Sequence, residues 1–293
     1  MEIRILEYFL AVAREQNISA AAEALHLSQP TLSRQLKSME KELGKQLFIR
    51  GNRNITLTEE GMILRKRAEE ILDLVKKTKN EISVSEEAIA GDIYIGAGET
   101  DAVRLIARAA QMLKAEHPQI HYHISSGDSA DILEKLDKGL IDFGLLLRPV
   151  DTTRYHCIPV PIMDQWGVLM KRDSPLAKKE MITPEDLWDK PLILSRQFLN
   201  AKEWFAWMKR EQSKLNIIAT YNLVYNASLM ADENLGYAIC LSRIINTTET
   251  NLCFRPLDPK LEIGLNVVWK KYQVFSKAAE KFLYTLQQYE KQQ

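Results

Sequence analysis

The sequence predicts an α+β chain with a mainly α-helical N-terminal domain, one long helix and a C-terminal α/β domain of two lobes. Three observations predict this order. Residues 1–57 show short helical patterns with only two glycines, and residues 58–87 continue as one helical pattern without proline. From residue 91 onward, apolar strands alternate with helices, which is typical of βαβ units around a parallel sheet.

Length and composition favour a folded intracellular protein. A chain of 293 residues suffices for two domains, and 46% hydrophobic with 27% charged residues is usual for globular proteins. The formal net charge is zero, so a nucleic-acid partner would need a local basic surface. The N-terminal residues lack a secretory-signal pattern, no apolar stretch is long enough to span a membrane, and the 3 cysteines lack CxxC spacing. We therefore expect a cytoplasmic protein without a metal or other cofactor.

Residues 1–57 are predicted to form three helices and a hairpin. The apolar residues of MEIRILEYFLAVAREQ recur at helical spacing and predict the first helix. Ser19 is expected to cap the second helix, and His26 stands at the break before the third. The stretch LFIRGNRNITLT alternates apolar and polar residues around Gly51, which predicts a short hairpin.

The third helix, in SQPTLSRQLKSMEKELG, has the pattern of a helix that faces a partner. Ser28 can cap its N-terminus, and Pro30 lies in the first turn, where a missing N–H has no cost. Four residues spaced four, three and four predict its buried face: Leu32, Leu36, Met39 and Leu43. Short polar groups and Arg34 then remain exposed, which suits base edges in a major groove.

The positive charge of the chain is concentrated in this helix and hairpin. Between Ser28 and Arg53 there are six lysines and arginines against two glutamates, giving 6 − 2 = +4. An isolated basic helix is more often a solvated surface helix. Three helices, a tight turn and a basic hairpin together favour a winged helix-turn-helix that binds DNA.

Residues 59–90 are predicted to form a long linker helix that needs a partner. A heptad row of residues supports this: Leu64, Ala68, Ile71, Val75, Thr78 and Ile82. At ~1.5 Å per residue the helix would be roughly 45 Å long. A helix of that length projects from its domain, so we expect a dimer.

Two α/β lobes follow. The predicted strands are DIYIGAG, IHYHISS, DFGLLL, WGVLMK, PLILS, NIIATYNL, YAICLS and LNVVWKK, with helices between them and a final helix SKAAEKFLYTLQQYEK. Ligands of such lobes lie at the carboxyl ends of strands, near helix N-termini. Reading the strand ends gives the candidate effector-binding residues Gly98, Glu99, Thr100, Asp101, Ser125, Ser126, Arg148, Ser195, Arg196, Tyr225 and Asn226.

The chemistry of these residues leaves the ligand open. Arg148 and Arg196 suit a carboxylate, which a guanidinium can bind through two hydrogen bonds. Glu99 and Asp101 instead favour a polar or cationic ligand. Capping and ordinary surface polarity explain the same residues equally well.

The stretch SAAAEALHLSQPTLSRQLKSMEKELG closely resembles the N-terminal domain of LysR-type transcriptional regulators, and residues 1–61 match without a gap. Weaker similarity continues through HPQIHYHISSGDSADILEKLDKGLIDFGLLL and ENLGYAI. The resemblance implies a DNA-binding domain (1–58), a dimerisation helix (59–90) and an effector-binding domain similar to a type 2 periplasmic binding protein (91–293). In that domain we expect lobe I at about 91–160 and 266–293 and lobe II at about 161–265.

The resemblance also implies partners and contact residues. The partners are double-stranded promoter or operator DNA, a small-molecule effector of unknown identity, further copies of the chain in a homodimer or homotetramer, and RNA polymerase as a candidate. The implied recognition residues are Ser28, Gln29, Pro30, Thr31, Ser33 and Arg34, to which the basic pattern adds Lys37 and Arg50, and Arg53 matches a wing position that enters the minor groove. His26 and Asn234 stand where relatives often have glycine, and both residue types tolerate positive φ.

Two other function classes stay open from the sequence. The two-lobed domain could serve a solute-binding protein or an enzyme, and the N-terminal domain could serve an architectural DNA-binding protein. The lack of a secretory signal argues against transport. No nucleophile, base and orienting residue occur at motif spacing, which argues against an enzyme.

Overall fold

The computed structural model describes residues 1–51, 54–83 and 89–291, which form two compact units, Met1–Ser83 and Val84–Gln293. The overall α+β class and the strand-helix alternation of the second unit confirm the fold predicted from sequence. None of the helices that the structure describes is long and apolar enough to span a membrane.

The N-terminal unit consists of helices around a small core, followed by a hairpin and a long helix. Its elements are α1 (Ile3–Glu15), α2 (Ile18–Ala24), α3 (Gln29–Leu43), β1 (Phe48–Arg50), β2 (Ile55–Leu57) and α4 (Glu59–Ser83). Phe9 from α1 and Leu36 and Met39 from α3 are buried in this core. The antiparallel pairing of β1 with β2 confirms the predicted hairpin.

The caps of α2 and α3 show one wrong and one correct prediction. Asn17, not Ser19, caps α2: its Oδ1 accepts hydrogen bonds from the backbone N–H groups of Ser19 at 2.8 Å and Ala20 at 3.1 Å. Asparagine is as good a cap as serine, and the helix begins two residues earlier, at Ile18. Ser28 caps α3 as predicted, since its Oγ accepts from the Thr31 N–H at 3.4 Å. His26 adopts φ 54° in the tight turn, as expected.

The buried face of α3 is shorter than predicted. Leu32, Leu36 and Met39 are fully buried, whereas Leu43 is 41% exposed because the helix ends there, at Gly44 with φ 64°. Beyond this end, Glu40 Oε1 accepts hydrogen bonds from the N–H groups that begin the hairpin strand, including Leu47 at 2.8 Å. Glu40 therefore fixes the hairpin to α3.

The helix α4 is divided between its own domain and open surface. With 25 residues it is roughly 37 Å long at ~1.5 Å per residue. Ala68 is fully buried, and Leu64 packs against the N-terminal core, so the first members of the predicted heptad row contact their own domain. Of the later members, Val75 is half-buried, and Ile71 and Ile82 are exposed, at 37% and 78%. The predicted end of this helix, beyond Ser83, falls on residues 84–88, which lie outside the described residues.

The C-terminal unit alternates strands and helices. Its strands are β3 (Gly91–Ala97), β4 (Ile120–Ser126), β5 (Phe143–Leu147), β6 (Tyr155–Lys171), β7 (Leu192–Ser195), β8 (Ile217–Tyr221), β9 (Tyr237–Leu241), β10 (Leu252–Pro256) and β11 (Glu262–Lys270). Its helices are α5 (Val103–Glu116), α6 (Ser129–Asp137), α7 (Pro184–Leu187), α8 (Lys202–Met208), α9 (Val224–Asp232) and α10 (Lys277–Lys291).

The sheet is mixed, not simply parallel as predicted. The strand order is β4-β3-β5-β11-β6-β9-β7-β8, and β10 pairs with β6. The strands β3, β4 and β5 are parallel, as are β7, β8 and β9, but β6, β10 and β11 pair antiparallel with their neighbours. These antiparallel strands lie at the two places where the chain crosses between the lobes: along β6, and between β10 and β11 on its return.

The strand β6 belongs to both lobes. It pairs with β11 as far as Gln165 and with β9 from Trp166, so the first crossing lies between these two residues. The return crossing lies between Pro256 and Glu262. Sequence prediction placed only WGVLMK in this strand. The first half of β6 contains Pro159 and Pro161, a residue type that disfavours a central strand.

Candidate functional site

The first turn of α3 presents an exposed polar surface. Ser28, Gln29, Pro30, Arg34 and Lys37 are exposed, and Thr31 and Ser33 are half-buried. The Ser28 and Thr31 hydroxyl oxygens lie 2.8 Å apart. The turn therefore combines two hydroxyls, an amide and a guanidinium, groups that hydrogen-bond to base edges and phosphates.

Internal contacts occupy the acidic side chains near this turn. Glu40 binds the hairpin backbone, and Glu42 binds the N-terminal ammonium group at 2.7 Å. Lys45 pairs with Glu60 at 3.0 Å, so Glu60 offsets the positive charge of Lys45 beside the end of α3. Within residues 1–51, 54–83 and 89–291, neither Arg34 nor Lys37 forms an ion pair, so their charges face outward.

Arg50 and Arg53 were the predicted wing residues. Arg50 ends strand β1, but its side chain lies outside the description, and Arg53 lies outside the described residues.

A cavity of about 50 Å³ lies between the two lobes of the C-terminal unit, room for only a few water molecules. Four predicted effector residues line it: Gly98, Glu99, Thr100 and Ser195. Much of the remaining wall is apolar and includes Ile132, Leu145, Trp166, Leu241 and Leu265. A polar group contributed by each lobe thus faces a largely apolar space, the usual composition of a small-molecule site.

Glu99 joins the two lobes. It follows β3 in lobe I, and its Oε2 accepts a hydrogen bond from the backbone N–H of Val224, the first residue of α9 in lobe II. Burial raises the pKa of Glu99 above its ordinary value, against the lowering effect of this hydrogen bond. Burial also raises the pKa of Cys240 on the cavity wall to about 12, so its thiol stays protonated.

A second polar group beside the cavity centres on Asp164, on β6 just before the crossing. Its side chain is fully buried, and its Oδ2 accepts a hydrogen bond from the Thr100 hydroxyl. Arg243 Nη2, from lobe II, lies 3.6 Å from Asp164 Oδ1, and Arg243 Nη1 lies 3.7 Å from Asp101 Oδ2. Burial raises the pKa of Asp164 above its ordinary value, and the contacts with Thr100 and Arg243 partly offset this rise.

Arg196 forms ion pairs with two carboxylates of the other lobe. Its Nη2 lies 2.7 Å from Asp128 Oδ2 and 3.5 Å from Asp131 Oδ2, both on lobe I. Arg148 donates from Nε to Asn266 Oδ1 at 3.0 Å. The two arginines line a wider cleft of about 980 Å³ and not the enclosed cavity. One nitrogen of each guanidinium group thus contacts a protein oxygen.

Other predicted residues also lie away from the cavity. Tyr225 and Asn226 are exposed on α9, and Asn222 and Val224 line the cavity in their place. Asp101 and Ser126 line an adjoining surface cleft, which shares Gly98, Glu99 and Thr100 with the cavity. Ser125 Oγ is buried without a hydrogen-bond partner among the described residues.

Sequence reasoning missed Asp164 and Arg243. A lone carboxylate inside the apolar stretch VPIMDQWGVLM was a usable signal, since a buried charge normally has a specific partner. Arg243 carried no local signal, because its partners are more than 70 residues away in sequence.

Two family models match this chain. One, described as a bacterial regulatory helix-turn-helix protein of the lysR family, covers residues 3–62, and the other, a LysR substrate binding domain, covers residues 86–291. Together they span both units.

Named relatives and a solved structure agree. A hydrogen peroxide-inducible genes activator from Dickeya chrysanthemi is 31% identical over 195 residues, covering 66% of this chain and 63% of that relative, less than two thirds of its length. The HTH-type transcriptional regulator BsdA from Bacillus subtilis is 32% identical over 221 residues, 74% of each chain. The crystal structure of full-length CbnR with its target DNA is 18% identical with a TM-score of 0.75, covers 98% of this chain and 99% of CbnR, and shows a shared fold. The chain therefore belongs to the LysR family of transcriptional regulators.

Proposed function

We propose that this protein binds double-stranded DNA in a sequence-specific way and that a small molecule bound between the lobes controls this binding. The observation that carries the proposal is the exposed first turn of α3, where Gln29 and Arg34 project beside two hydroxyls. CbnR, which shares the fold, is crystallised with its target DNA.

The residues of α3 divide by chemistry. Gln29 suits adenine and Arg34 suits guanine, because each can make two hydrogen bonds to the major-groove edge of that base. Ser28, Thr31, Ser33 and Lys37 suit phosphates and sugar oxygens, with Pro30 shaping the turn. On the sequence pattern, Arg50 and Arg53 extend the basic surface through the hairpin.

The exposed part of α4 supports a homodimer or homotetramer. Ile71, Leu74 and Ile82 leave apolar surface open on a helix whose first half packs against its own domain. A two-fold dimer would present two α3 helices to two half-sites on one face of DNA. We assign residues 1–58 to DNA binding, 59–90 to dimerisation and 91–293 to effector binding, in a cytoplasmic regulator with RNA polymerase as a candidate partner.

The cavity supports control by a ligand. Contacts through Glu99, Arg196 and Arg243 hold the lobes together around a space of about 50 Å³. A ligand larger than this space must separate some of these contacts, so its binding would favour one lobe arrangement over another.

Selection of bound sequences from a random double-stranded DNA library tests the proposal. The wild-type protein should enrich a sequence with two half-sites, and Arg34→Ala should lose about 1 to 3 kcal/mol of discrimination at one base position. Arg65→Ala is the matched control, because this exposed α4 arginine pairs with Glu69 at 3.1 Å and lies outside the recognition turn. Failure of the wild-type protein to enrich any sequence would overturn the proposal.

A further inference from the structure

Glu99 gives the interlobe cavity a single charge. Of the described residues that line this cavity, Glu99 alone is charged, and no lysine or arginine is among them. Tyr221 and Cys240 share the wall, and burial raises the pKa of both, so both stay neutral and add no negative charge. The electrostatic character of the cavity is therefore set by one carboxylate.

Neighbouring carboxylates differ from Glu99 because each has an arginine. Asp101 pairs with Arg104 at 2.7 Å, Asp164 with Arg243 at 3.6 Å, and Asp128 with Arg196 at 2.7 Å. Glu99 forms no ion pair with any residue from 1–51, 54–83 or 89–291, and its hydrogen bond comes from the neutral Val224 N–H. A partly buried carboxylate without a cation is unfavourable, and burial correspondingly raises its pKa.

The rest of the wall suits a group that donates several hydrogen bonds. Ser195, Gln197 and Asn222 are polar residues of this wall, while Leu145, Trp166 and other apolar residues provide the remaining surface. Ser195 Oγ accepts from the Gln197 N–H at 3.3 Å and Gln197 Oε1 accepts from the Ser129 hydroxyl at 2.9 Å, and each of these oxygens has a second lone pair. A protonated amine donates up to three hydrogen bonds and needs no acceptor in return. A carboxylate ligand would instead meet Glu99 as a like charge, with no arginine on this wall to offset it.

We propose that the effector of this cavity carries a protonated primary amine on a small apolar body, with the amine paired to Glu99. This inference rests on the proposed function, which makes the cavity the effector site. The ammonium group supplies the counter-charge that Glu99 lacks and competes with the Val224 N–H for its carboxylate. Ligand binding thereby weakens a contact that joins lobe I to α9, which connects ligand chemistry to the arrangement of the lobes.

Calorimetric titration of the full-length protein with n-propylamine, propionate and 1-propanol tests this assignment. We expect saturable binding of n-propylamine alone, with a dissociation constant at least about tenfold higher in Glu99→Gln, which removes the charge and keeps the shape. Asp173→Asn is the control: it removes an exposed carboxylate in the turn after β6 that does not line the cavity, and amine binding should not change. Glu99→Asp, which keeps the charge, should retain measurable binding.

Several outcomes would overturn the assignment. These are propionate or 1-propanol binding as tightly as the amine, equal amine binding by Glu99→Gln, or no binding of the amine up to about 50 mM, a range that covers weak, fragment-sized ligands. A protein that selects a DNA sequence but fails these titrations would retain the proposed function and lose only the amine assignment. A protein that binds the amine through Glu99 but selects no DNA sequence would retain the amine site and lose the proposed function.

Discussion

Arg243 Nη2 lies 3.6 Å from Asp164 Oδ1, so a half-exposed arginine of lobe II neutralises a fully buried carboxylate on the strand that joins the lobes. Asp164 Oδ1 has no hydrogen-bond partner among the described residues, which leaves Arg243 as its main electrostatic partner. The Thr100 hydroxyl occupies the other carboxylate oxygen. The pair thus stabilises contact between the lobes beside the cavity.

Removing Arg243 should destabilise the C-terminal unit. Arg243→Ala leaves a buried carboxylate without its cation, and we expect a loss of about 1 to 3 kcal/mol in the free energy of unfolding. Urea unfolding followed by tryptophan fluorescence measures this, because all 5 tryptophans lie between Trp166 and Trp269 and report only on this unit.

A double variant separates this pair from general effects. In an Asp164→Asn background, Arg243→Ala should cost less than in the wild-type protein, because the two residues interact directly. Arg104→Ala removes a 69% exposed arginine from its ion pair with Asp101 and should cost under about 1 kcal/mol. Equal costs of Arg243→Ala in both backgrounds would show that Arg243 does not act through Asp164.

The stability of the C-terminal unit should depend on the charge of Asp164. Burial raises its pKa in the folded state, so the folded protein binds this proton more tightly than the unfolded chain does. Asp164 therefore adds most to the free energy of unfolding below its pKa in the unfolded chain. This contribution is lost as pH rises through its pKa in the folded protein. Asp101 and Arg243 are the charged groups that face this carboxylate.

Urea unfolding, measured from below the unfolded pKa of Asp164 to above its folded pKa, tests the direction of this pH dependence. Asp164→Asn cannot ionise, so its stability relative to the wild-type protein should increase as pH rises through the titration of Asp164. Asp173→Asn provides a matched control, since this surface carboxylate lies in the turn after β6 and away from the cavity. A wild-type and Asp164→Asn difference that is constant with pH would contradict the predicted shift.

The exposed half of α4 should control self-association. Ile82→Asp places a charge on a residue that is 78% exposed in the single chain, so the folded N-terminal unit should tolerate it. If Ile82 packs against a partner helix, burying the charge should weaken the dimer by at least about 2 kcal/mol. Sedimentation equilibrium of the full-length protein gives the dissociation constant.

The control for this change is Lys79→Asp, which introduces an acidic residue on the same exposed turn but outside the heptad row. Its dimer should be weakened much less than that of Ile82→Asp. An unchanged dissociation constant in Ile82→Asp would place the dimer contact elsewhere.

The N-terminal unit was largely predictable from sequence because local patterns determine it. Ser28 and Pro30 begin α3, Leu32, Leu36 and Met39 face the core, and His26 takes the left-handed turn. The prediction failed where two local signals competed. Asn17 and Ser19 are both good caps, and only the packing of α2 decides between them.

The cavity was less predictable because its residues pair over long sequence distances. The strand-end rule placed Glu99 and Ser195 on the wall, but it could not show that Arg196 is held by Asp128, 68 positions away. The same rule selected Tyr225 and Asn226, whereas the start of α9 turns them outward and leaves Asn222 and Val224 at the wall. Local sequence identifies the ends of strands, and only the tertiary fold determines which side chains meet there.

The strand β6 limits how the lobes can move. One continuous strand passes from the β11 pairing to the β9 pairing between Gln165 and Trp166, and a single return segment between Pro256 and Glu262 accompanies it. Two adjacent connections act as a hinge with one preferred axis, because sliding of the lobes would break the strand pairing on both sides. Opening of the lobes is therefore restricted to a rotation in which the contacts of Glu99, Arg196 and Arg243, which lie around the cavity, separate as one coupled set.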